Sequence, residues 1–399
     1  MQIDLQNIKD SSDQFSNYGI ILDPTQRAWI EISGSAIENN VSQIKGSLKE
    51  KCKFMAVVKA DGYGHDAKLV SEYAIKGGAD QLGVATLQEG INLRRAGIKV
   101  PILVLGNIFT KEDLMICFHH QLMPTVSNIR ECLLCNNIGK EFQKKFSLHL
   151  KVDTGMSRLG FEVNDFAEKF DQIISCEYVF VQGIYSHFAS ADEFNAMEEG
   201  SFTQIQKRRF QSILQQINVE KYPYITIHLA NSAATLLSKE MHFDMVRVGL
   251  SMYGYNPTLK TKINMLLQPA LLLKSKISFI REIDKNVGVS YGRNFISDKK
   301  TKLAVVSIGY ADGVNRKLSN KISIICNKKL YRQVGSITMD QLMIDITNEK
   351  EIKVGDPVLL LGSEGGFSLS PLDWAKESSS IAWEILCGFK NRLPRVQVT

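Results

Sequence analysis

The sequence has little of what membrane, secreted or nucleic-acid-binding proteins usually need. No apolar run approaches the roughly 20 residues that span a bilayer, and the start MQIDLQNIKDSSDQF has neither the basic segment nor the apolar core of a signal peptide. The 48 basic and 42 acidic residues give a net charge of +6 without any long run of like charges, so a surface that binds nucleic-acid phosphates is not expected. We therefore expect a cytoplasmic protein that binds neither membranes nor nucleic acid.

Cysteine is scarce, and the number of cysteines is odd. Seven are scattered along 399 residues, a distribution that favours reduced thiols over a disulfide framework. Cys132 and Cys135 form one CxxC, with Cys117, His119 and His120 nearby in the sequence, but no second pair completes a zinc site. Buried thiols and no metal are the expectation.

The sequence does contain a regular alternation, from about residue 34 to 260, of short apolar runs with polar or amphipathic stretches of helical length. Eight such runs precede helix-like segments, a pattern that predicts a (β/α)₈ barrel rather than an open doubly wound sheet. The runs end at Val58, Ala85, Leu105, Val126, Val152, Ile184, Leu229 and Val248.

Beyond about residue 265 the pattern changes to closely spaced alternating strands with Gly and Asn turns between them, which predicts a mainly antiparallel β domain over residues 265–399. The alternating segment RAWIEIS, residues 27–33, is expected to join that domain. Residues 34–264 would then form the barrel. Residues 1–26 are polar and weakly patterned and are interpreted as an N-terminal extension.

Functional side chains of such barrels gather just after the strands, and chemically useful residues occur at these points. Lys59 follows the first run, where burial would disfavour its charged form and free the amine to attack an aldehyde, although a lysine at a strand end is by itself more often solvated. Ser232 and Gly249 follow later strands, where barrels often bind phosphate. The other candidates at strand ends are Arg158, His187, Asn231 and Arg247.

At these residues the sequence resembles the alanine racemase family, fold type III of the enzymes that use pyridoxal 5'-phosphate (PLP), from about Arg27 to Arg395. Several independent motifs in one order are far less probable by chance than one short pattern. The motifs are AVVKADGYGHD, KVDTGMSRLGF, SHFASAD, HLANSAA, MVRVGLSMYG, VSYGR, IGYADG and SITMDQ.

The resemblance implies that Lys59 holds PLP as a Schiff base and is one of two catalytic bases. Arg158 would bind the phenolic oxygen of the cofactor and the substrate carboxylate, a task suited to a guanidinium fork. Lys151 would be carbamylated and would orient that arginine. The remaining residues implied to bind the cofactor, most of them around its phosphate, are Tyr63, Asn231, Ser232, Gly249 and Leu250.

Arg247 would contact the pyridine nitrogen of PLP. Because an arginine does not readily release its proton, the ring nitrogen would stay neutral and the cofactor would be a weaker electron sink. A short-lived carbanion would then be reprotonated quickly at Cα. His187 would sit beside the cofactor and Arg247 as an orienting group rather than as a catalyst.

Tyr291 matches the second base of the family, which reaches the active site from the other subunit. Two bases on opposite faces of a planar carbanion provide what inversion requires, since one removes the α-proton and the other returns it to the opposite side. Met339 would donate its backbone N–H to the substrate carboxylate from that same partner. The resemblance therefore implies a homodimer with shared active sites.

Three residues depart from the family pattern. Trp383 stands where a tyrosine usually precedes the glutamate of the C-terminal motif, and an indole N–H can donate but cannot accept a hydrogen bond. This puts the phosphate grip and the width of the access channel in question. Ser336 replaces a frequent arginine and Thr338 a frequent cysteine, so a less basic access channel is expected.

Racemisation of alanine, supplying D-alanine for peptidoglycan, is the main functional hypothesis, but three alternatives stay open. A racemase of serine or of several amino acids would differ in pocket size at Trp383, Tyr310 and Tyr291. A PLP decarboxylase should place an acid at the pyridine nitrogen, and Arg247 argues against it. A non-catalytic PLP carrier would not need a second domain of roughly 130 residues.

Overall fold

The structure is a computed structural model that describes residues 26–258 and 265–398. The expected N-terminal extension, residues 1–26, lies outside the described residues apart from Gln26. The chain divides into two compact units, one spanning Ser35–Gln268 and the other combining the segment up to Gly34 with the chain from Pro269 onward. No helix among the described residues has the length and apolarity required to cross a membrane.

The first unit is an eight-stranded parallel barrel, so the predicted architecture is confirmed. The strands follow in the order β5-β4-β3-β2-β10-β9-β8-β6, and pairing of β5 with β6 closes the barrel. The two-residue strand β7 (Phe161–Glu162) adds to β6 outside this ring. The barrel strands are β2 (Lys53–Val57), β3 (Gln81–Val84), β4 (Ile102–Asn107), β5 (Met123–Val126), β6 (Phe146–Asp153), β8 (Val179–Tyr185), β9 (Thr226–His228) and β10 (Met245–Val248).

Helices alternate with these strands, and several begin at side chains that accept hydrogen bonds from the first helical turn. Thr86 and Glu89 form a reciprocal capping box at the start of one of them. The helices of this unit are α1 (Gly34–Ser47), α2 (Lys59–Gly64), α3 (Ala67–Lys76), α4 (Leu87–Arg95), α5 (Lys111–His119), α6 (Ile129–Glu141), α7 (Phe166–Ile174), α8 (Phe202–Gln216) and α9 (Ser232–Leu237).

The barrel interior contains both an apolar cluster and a set of buried polar groups. Met55, Leu103, Met123, Tyr185 and Met245 pack together as buried residues. The two-residue period of a strand places alternate residues on one face, and in this way β6, β9 and β10 contribute ionisable residues that are almost completely buried. These are His149, Lys151, His228 and Arg247.

The cysteines of the CxxC are buried in α6. Cys132 and Cys135 are inaccessible to solvent, as is Cys117 in α5, and all three are free thiols. Burial raises the pKa of the Cys132 thiol to about 12, so this thiol is uncharged at neutral pH.

The second unit is built on a nine-stranded, mostly antiparallel sheet in the order β19-β18-β15-β16-β17-β14-β11-β1-β20, which confirms the predicted class. The early strand β1 (Ala28–Ser33) lies inside this sheet, antiparallel to β11 and parallel to β20. The other strands are β11 (Leu271–Ile283), β12 (Gly288–Val289), β13 (Phe295–Ile296), β14 (Thr301–Val306), β15 (Ser323–Cys326), β16 (Lys329–Val334), β17 (Leu342–Asp345), β18 (Pro357–Glu364), β19 (Phe367–Leu369) and β20 (Arg395–Val398), with helices α10 (Pro371–Ser378) and α11 (Ala382–Cys387).

The motif IGYADG has a structural part in this unit. Asp312 is inaccessible to solvent, accepts the N–H of Gly309 at 3.0 Å and pairs with both terminal nitrogens of Arg27, at 3.0 and 2.5 Å. A bidentate arginine–carboxylate pair is among the stronger polar contacts in proteins. It ties the residue before β1 to the loop after β14, which explains how a segment from the start of the chain is held in a sheet made by its end.

Candidate active site

Lys59 opens an unusual backbone turn at the end of β2. The next four residues, Ala60 to Tyr63, all have positive φ angles, between 52° and 61°. A residue other than glycine in this left-handed region costs about 1 kcal/mol, so the turn needs support from its neighbours. Ala60 donates its N–H to Glu89 at 2.8 Å, and Asp61 accepts the N–H of Ala67 at 2.9 Å. The strained turn leaves Lys59 half-buried and directs Tyr63 into the interior, where only 6% of it is exposed.

The Tyr63 hydroxyl meets the backbone of Gly249. A Cβ atom at Gly249 would lie only 2.5 Å from that hydroxyl oxygen, so only glycine allows the approach. From the other side, Ser232 accepts the N–H of Gly249 at 2.9 Å. Two hydroxyl groups therefore converge on one glycine, with buried Leu250 next in the chain. The side chain of Asn231 is used differently, since it caps α9 by accepting the N–H of Ala234.

Arg247 is a buried cation of the barrel whose guanidinium has four hydrogen-bond acceptors. It is 3% exposed, and burial lowers its pKa to about 10, so it stays protonated at neutral pH. Its guanidinium donates to the Nδ1 atoms of His187 and His228, both at 2.9 Å, and to the carbonyl oxygens of Ser186 and Leu229, at 2.7 and 3.0 Å. All four acceptors are neutral groups. The charge is thus held by dipoles and is not cancelled by a carboxylate.

His187 contributes to this arrangement as a neutral acceptor. Burial first, and then the charges of Arg247 and nearby cations, hold the pKa of His187 well below its ordinary value. Because a guanidinium can only donate, Nδ1 of His187 carries no proton and its single proton resides on Nε2. The geometry places His187 beside Arg247, where it accepts one of the guanidinium N–H groups.

Three further cations, Lys151, Arg158 and Lys59, lie close enough to His187 to lower its pKa. Lys151 is 5% exposed and its Nζ lies 5.7 Å from the centre of the Tyr185 ring. Burial, followed by the positive charges of Arg158, Arg247 and Lys59, lowers the pKa of the Lys151 amine to about 8. Arg158 is exposed at the end of a loop organised by Asp153, whose carboxylate accepts several backbone N–H groups, including that of Arg158 at 3.1 Å. The excess of positive charge suits an anionic ligand.

The β unit carries the other predicted residues, and two of them, Tyr291 and Met339, are exposed. Tyr291 is 72% accessible and begins a tight turn, Tyr291–Arg293, between β12 and β13. Ser336 donates its hydroxyl to the carbonyl oxygen of Tyr291 at 2.7 Å and accepts from Asn294 at 3.0 Å, while Ser290 donates to the carbonyl oxygen of Ser336 at 2.6 Å. Ser336, a departure from the family pattern, is almost completely buried and holds the loop of Tyr291 in place.

Met339 belongs to the loop that follows Ser336. It is 53% exposed, and its carbonyl oxygen accepts the N–H of Ala311 at 3.0 Å. A Cβ at Gly309 would come within 2.2 Å of the carbonyl oxygen of Thr338, so the glycine of IGYADG lets the two loops touch. Trp383 lies in α11 and is half-buried. The chain therefore fixes the backbone at Tyr291 and Met339 but leaves both side chains facing outward.

Comparison with known proteins identifies the family. Residues 32–257 match the model of the alanine racemase N-terminal domain, and residues 270–397 match that of the C-terminal domain. The chain is 51% identical to an alanine racemase of Prochlorococcus marinus over 377 residues, which cover 94% of this chain and 97% of the relative. The chain belongs to the alanine racemase family.

Solved structures of alanine racemases are also similar to this fold. An alanine racemase of Clostridium difficile 630 has a TM-score of 0.85 and 33% identity, covering 94% of this chain and 96% of its own. An alanine racemase of Bartonella henselae, solved with covalently bound pyridoxal phosphate, has a TM-score of 0.82 and 27% identity, covering 94% of this chain and 100% of its own.

Two contributors to this alanine racemase site were not among the predicted residues. His228 contacts Arg247 directly, and Tyr185 stacks on His228 with ring centres 4.7 Å apart and lies 5.1 Å from the Arg247 guanidinium. Both residues occur at the ends of apolar runs, just before the candidate residues His187 and Asn231 that the sequence analysis identified. A search for polar residues facing inward on the strands, and not only for residues after them, could have found both.

Proposed function

We propose that this chain interconverts L-alanine and D-alanine with PLP bound covalently to Lys59. The observation that carries the proposal is the presence of Lys59, Arg247 and the two hydroxyl groups that meet at Gly249 in one barrel, in a chain of the alanine racemase family. The residues fit the cofactor in kind: an amine for its aldehyde, donors for its ring and phosphate, and an excess of positive charge. When bound, PLP supplies an electron sink that acidifies the α-proton of the substrate.

The barrel residues bind and orient the cofactor in this proposal. Tyr63, Ser232, Gly249 and Leu250 surround the phosphate, and Asn231 fixes the helix that begins at Ser232. Arg247 would donate to the pyridine nitrogen of bound PLP through the hydrogens that its four protein acceptors leave over. Because the guanidinium stays protonated at neutral pH, it would not pass a proton to the ring, which would then withdraw electrons less strongly and favour return of the proton to the substrate over side reactions.

Arg158 and Lys151 act on the substrate side. Arg158 offers a guanidinium fork to the substrate carboxylate and to the phenolic oxygen of the cofactor. Lys151 is proposed to carry a carbamate, which forms only from the neutral amine. Its pKa of about 8 favours the neutral amine at neutral pH more than that of an ordinary lysine does. The positive charges of Arg158, Arg247 and Lys59, which help to lower that pKa, favour the anionic carbamate. A carbamate carbon signal in ¹³C-bicarbonate that disappears in Lys151→Ala would support this assignment, and an identical signal in the variant would reject it.

Proton transfer needs two bases on opposite faces of the substrate. Lys59 is proposed as one and Tyr291 of a second copy of the chain as the other, with the backbone N–H of Met339 from that copy binding the substrate carboxylate. The exposure of Tyr291 and Met339, together with the hydrogen bonds that hold their backbone, supports a site completed by a homodimer. Trp383, Tyr310 and Tyr291 would then limit the size of the substrate.

The cellular role that goes with this reaction is the supply of D-alanine for peptidoglycan, in the cytoplasm. Neither nucleic acid nor a membrane is needed as a partner.

The experiment is chemical labelling together with a turnover assay. PLP-loaded protein is reduced with borohydride and digested, and the labelled peptide is sequenced. In a separate, unreduced sample, L-alanine and L-serine are assayed for formation of the D-enantiomer. We expect the label on Lys59 and preferred turnover of alanine. Lys59→Ala should lose both, whereas Lys53→Ala, at an exposed lysine at the start of β2, should keep both. A label on another lysine, or no D-alanine, would overturn the proposal.

A further inference from the structure

A chain of buried hydrogen bonds extends from Arg247 through two histidines into the barrel. Nη1 of Arg247 lies 2.9 Å from Nδ1 of His228, and Nε2 of His228 is joined to Nδ1 of His149, also at 2.9 Å. Both imidazoles are inaccessible to solvent. His149 is two hydrogen bonds away from Arg247, which contacts the cofactor in the proposed function.

The direction of every bond in this chain follows from the arginine. A guanidinium only donates, so Nδ1 of His228 must accept and its proton must reside on Nε2. That proton is donated to Nδ1 of His149, whose own proton must then be on Nε2. Burial and the charge of Arg247 lower the pKa of His149 to about 3 and hold that of His228 well below its ordinary value, so both rings are neutral at pH 7.

His149 occupies its place at an energetic cost. Its Nε2 has no hydrogen-bond partner among the described residues, and a buried N–H without an acceptor destabilises the folded state. Gly183 makes room for the ring, since a Cβ there would lie 2.4 Å from Nδ1 of His149. An aliphatic side chain would fill this interior without that cost. The feature that such a side chain would lack is the acceptor for His228.

Apart from Arg247 and His149, the neighbours of His228 fix the plane of its ring but not the position of its proton. Tyr185 stacks on it with an angle of 8° between the rings. The hydroxyl of Thr125 donates to the carbonyl oxygen of Val104 at 2.7 Å, so the Tyr185 hydroxyl, 2.8 Å away, must donate to Thr125. Stacking cannot distinguish the two neutral forms of an imidazole, whereas an acceptor at Nε2 can.

We propose that His149 is a positioning residue for Arg247. By accepting from His228 it fixes the neutral form of that ring whose Nδ1 holds the guanidinium, and so sets the direction in which Arg247 presents its remaining hydrogens to the cofactor. The proposal rests on the proposed function for the role of Arg247 toward the pyridine nitrogen.

A matched pair of variants separates the acceptor from packing. Asparagine and leucine have nearly the same size and branching, and an asparagine oxygen reaches the position of a histidine Nδ1. His149→Asn keeps an acceptor for His228, and His149→Leu removes it while leaving a similar space. We expect the Leu variant to bind PLP about tenfold more weakly, the usual order for a lost hydrogen bond to a charged network. Its bound cofactor should also show a shifted absorption band. The Asn variant should stay within about threefold of the original chain.

The protonation of His228 provides a readout that does not depend on turnover. In holoenzyme labelled with ¹⁵N-histidine, nitrogen NMR should show His228 and His149 neutral and protonated on Nε2, with the His228 pattern kept in the Asn variant and disturbed in the Leu variant. A proton on Nδ1 of His228 in the unmodified chain would overturn the proposal even if no variant folded. Equal PLP affinity and spectra in the two variants would overturn it as well. Failure to racemise alanine, with these signals as expected, would instead reject the proposed function.

Discussion

The barrel and the β unit contribute to the proposed site in opposite ways. In the barrel, Arg247 and Lys151 are 3% and 5% exposed, and Arg247 is fixed through its own side-chain hydrogen bonds. In the β unit, Tyr291 and Met339 are 72% and 53% exposed, and only their backbone is fixed. The barrel encloses these two cations, and the β unit presents Tyr291 and Met339 outward. In the proposed function the buried cations of the barrel would bind the cofactor, whereas the outward-facing residues of the β unit would complete the site of a second copy of the chain.

Because of this difference, substitutions in the two units should have different effects. A change in the barrel should alter cofactor binding and catalysis together. A change in the loops of the β unit should alter catalysis and leave the cofactor spectrum nearly unchanged. A variant in the β-unit loops with altered cofactor binding, or a barrel variant with altered catalysis and normal cofactor binding, would contradict this difference between the units.

The largest effect in the β unit is expected for Tyr291→Phe, which removes only the hydroxyl proposed to take the proton from L-alanine. Racemisation should fall by about 10² to 10⁴, the usual contribution of a positioned acid–base group, while the cofactor spectrum stays nearly normal. In heavy water the variant should exchange the α-proton of D-alanine, the face assigned to Lys59, faster than that of L-alanine. Equal exchange from both enantiomers would show that Tyr291 is not the second base.

A smaller effect is expected for Ser336→Ala, which removes the hydroxyl that holds the Tyr291 carbonyl. A looser Tyr291 loop should lower kcat by about tenfold, comparable to the loss of one or two hydrogen bonds, and should slow exchange of L-alanine more than that of D-alanine. Ser363→Ala is the matched control, because Ser363 is an exposed serine of the same unit whose hydroxyl donates to that of Ser368 in a hairpin. If both variants lost activity equally, the contact between Ser336 and Tyr291 would have no special role.

The smallest effect concerns acid stability and belongs to the barrel. His149 has a folded pKa of about 3, whereas an unfolded histidine has one near 6.5. Between these values the unfolded chain binds the extra proton, so the free energy of unfolding must decrease as the pH falls from about 6.5 toward 3. The contribution of one such imidazole is about 1.4 kcal/mol per pH unit.

Urea unfolding at several pH values from 4.5 to 6.5 would measure this slope. His149→Asn should reduce it by about one proton relative to the unmodified chain, while His119→Asn, a change in a histidine at the end of α5 that is not buried, should leave it nearly unchanged. Identical slopes in all three proteins would mean that His149 is not held neutral by burial.

The sequence predicted the barrel, the antiparallel sheet and the strand ends because each depends on a local pattern of apolar residues or on a short motif. It predicted that RAWIEIS would join the later sheet because alternation is visible within seven residues. It did not predict His228 as a partner of Arg247, since that contact joins neighbouring strands of a closed barrel. Nor did it show that Ser336, noted only as a replaced arginine, would be buried and hold Tyr291. Contacts of this kind depend on three-dimensional register, which composition and periodicity do not specify.

In the proposed function the buried groups of one chain and the exposed Tyr291 of another make one active site, and mixing of subunits tests this arrangement. Lys59→Ala and Tyr291→Phe chains, each nearly inactive alone, are combined in equal amounts, dissociated and allowed to reassociate with PLP. If the sites are shared in a twofold dimer, half of the dimers are hybrids with one intact site each, and about a quarter of the original activity should return. Hybrid dimers, verified by differential tagging, that remained as inactive as their parents would contradict the account.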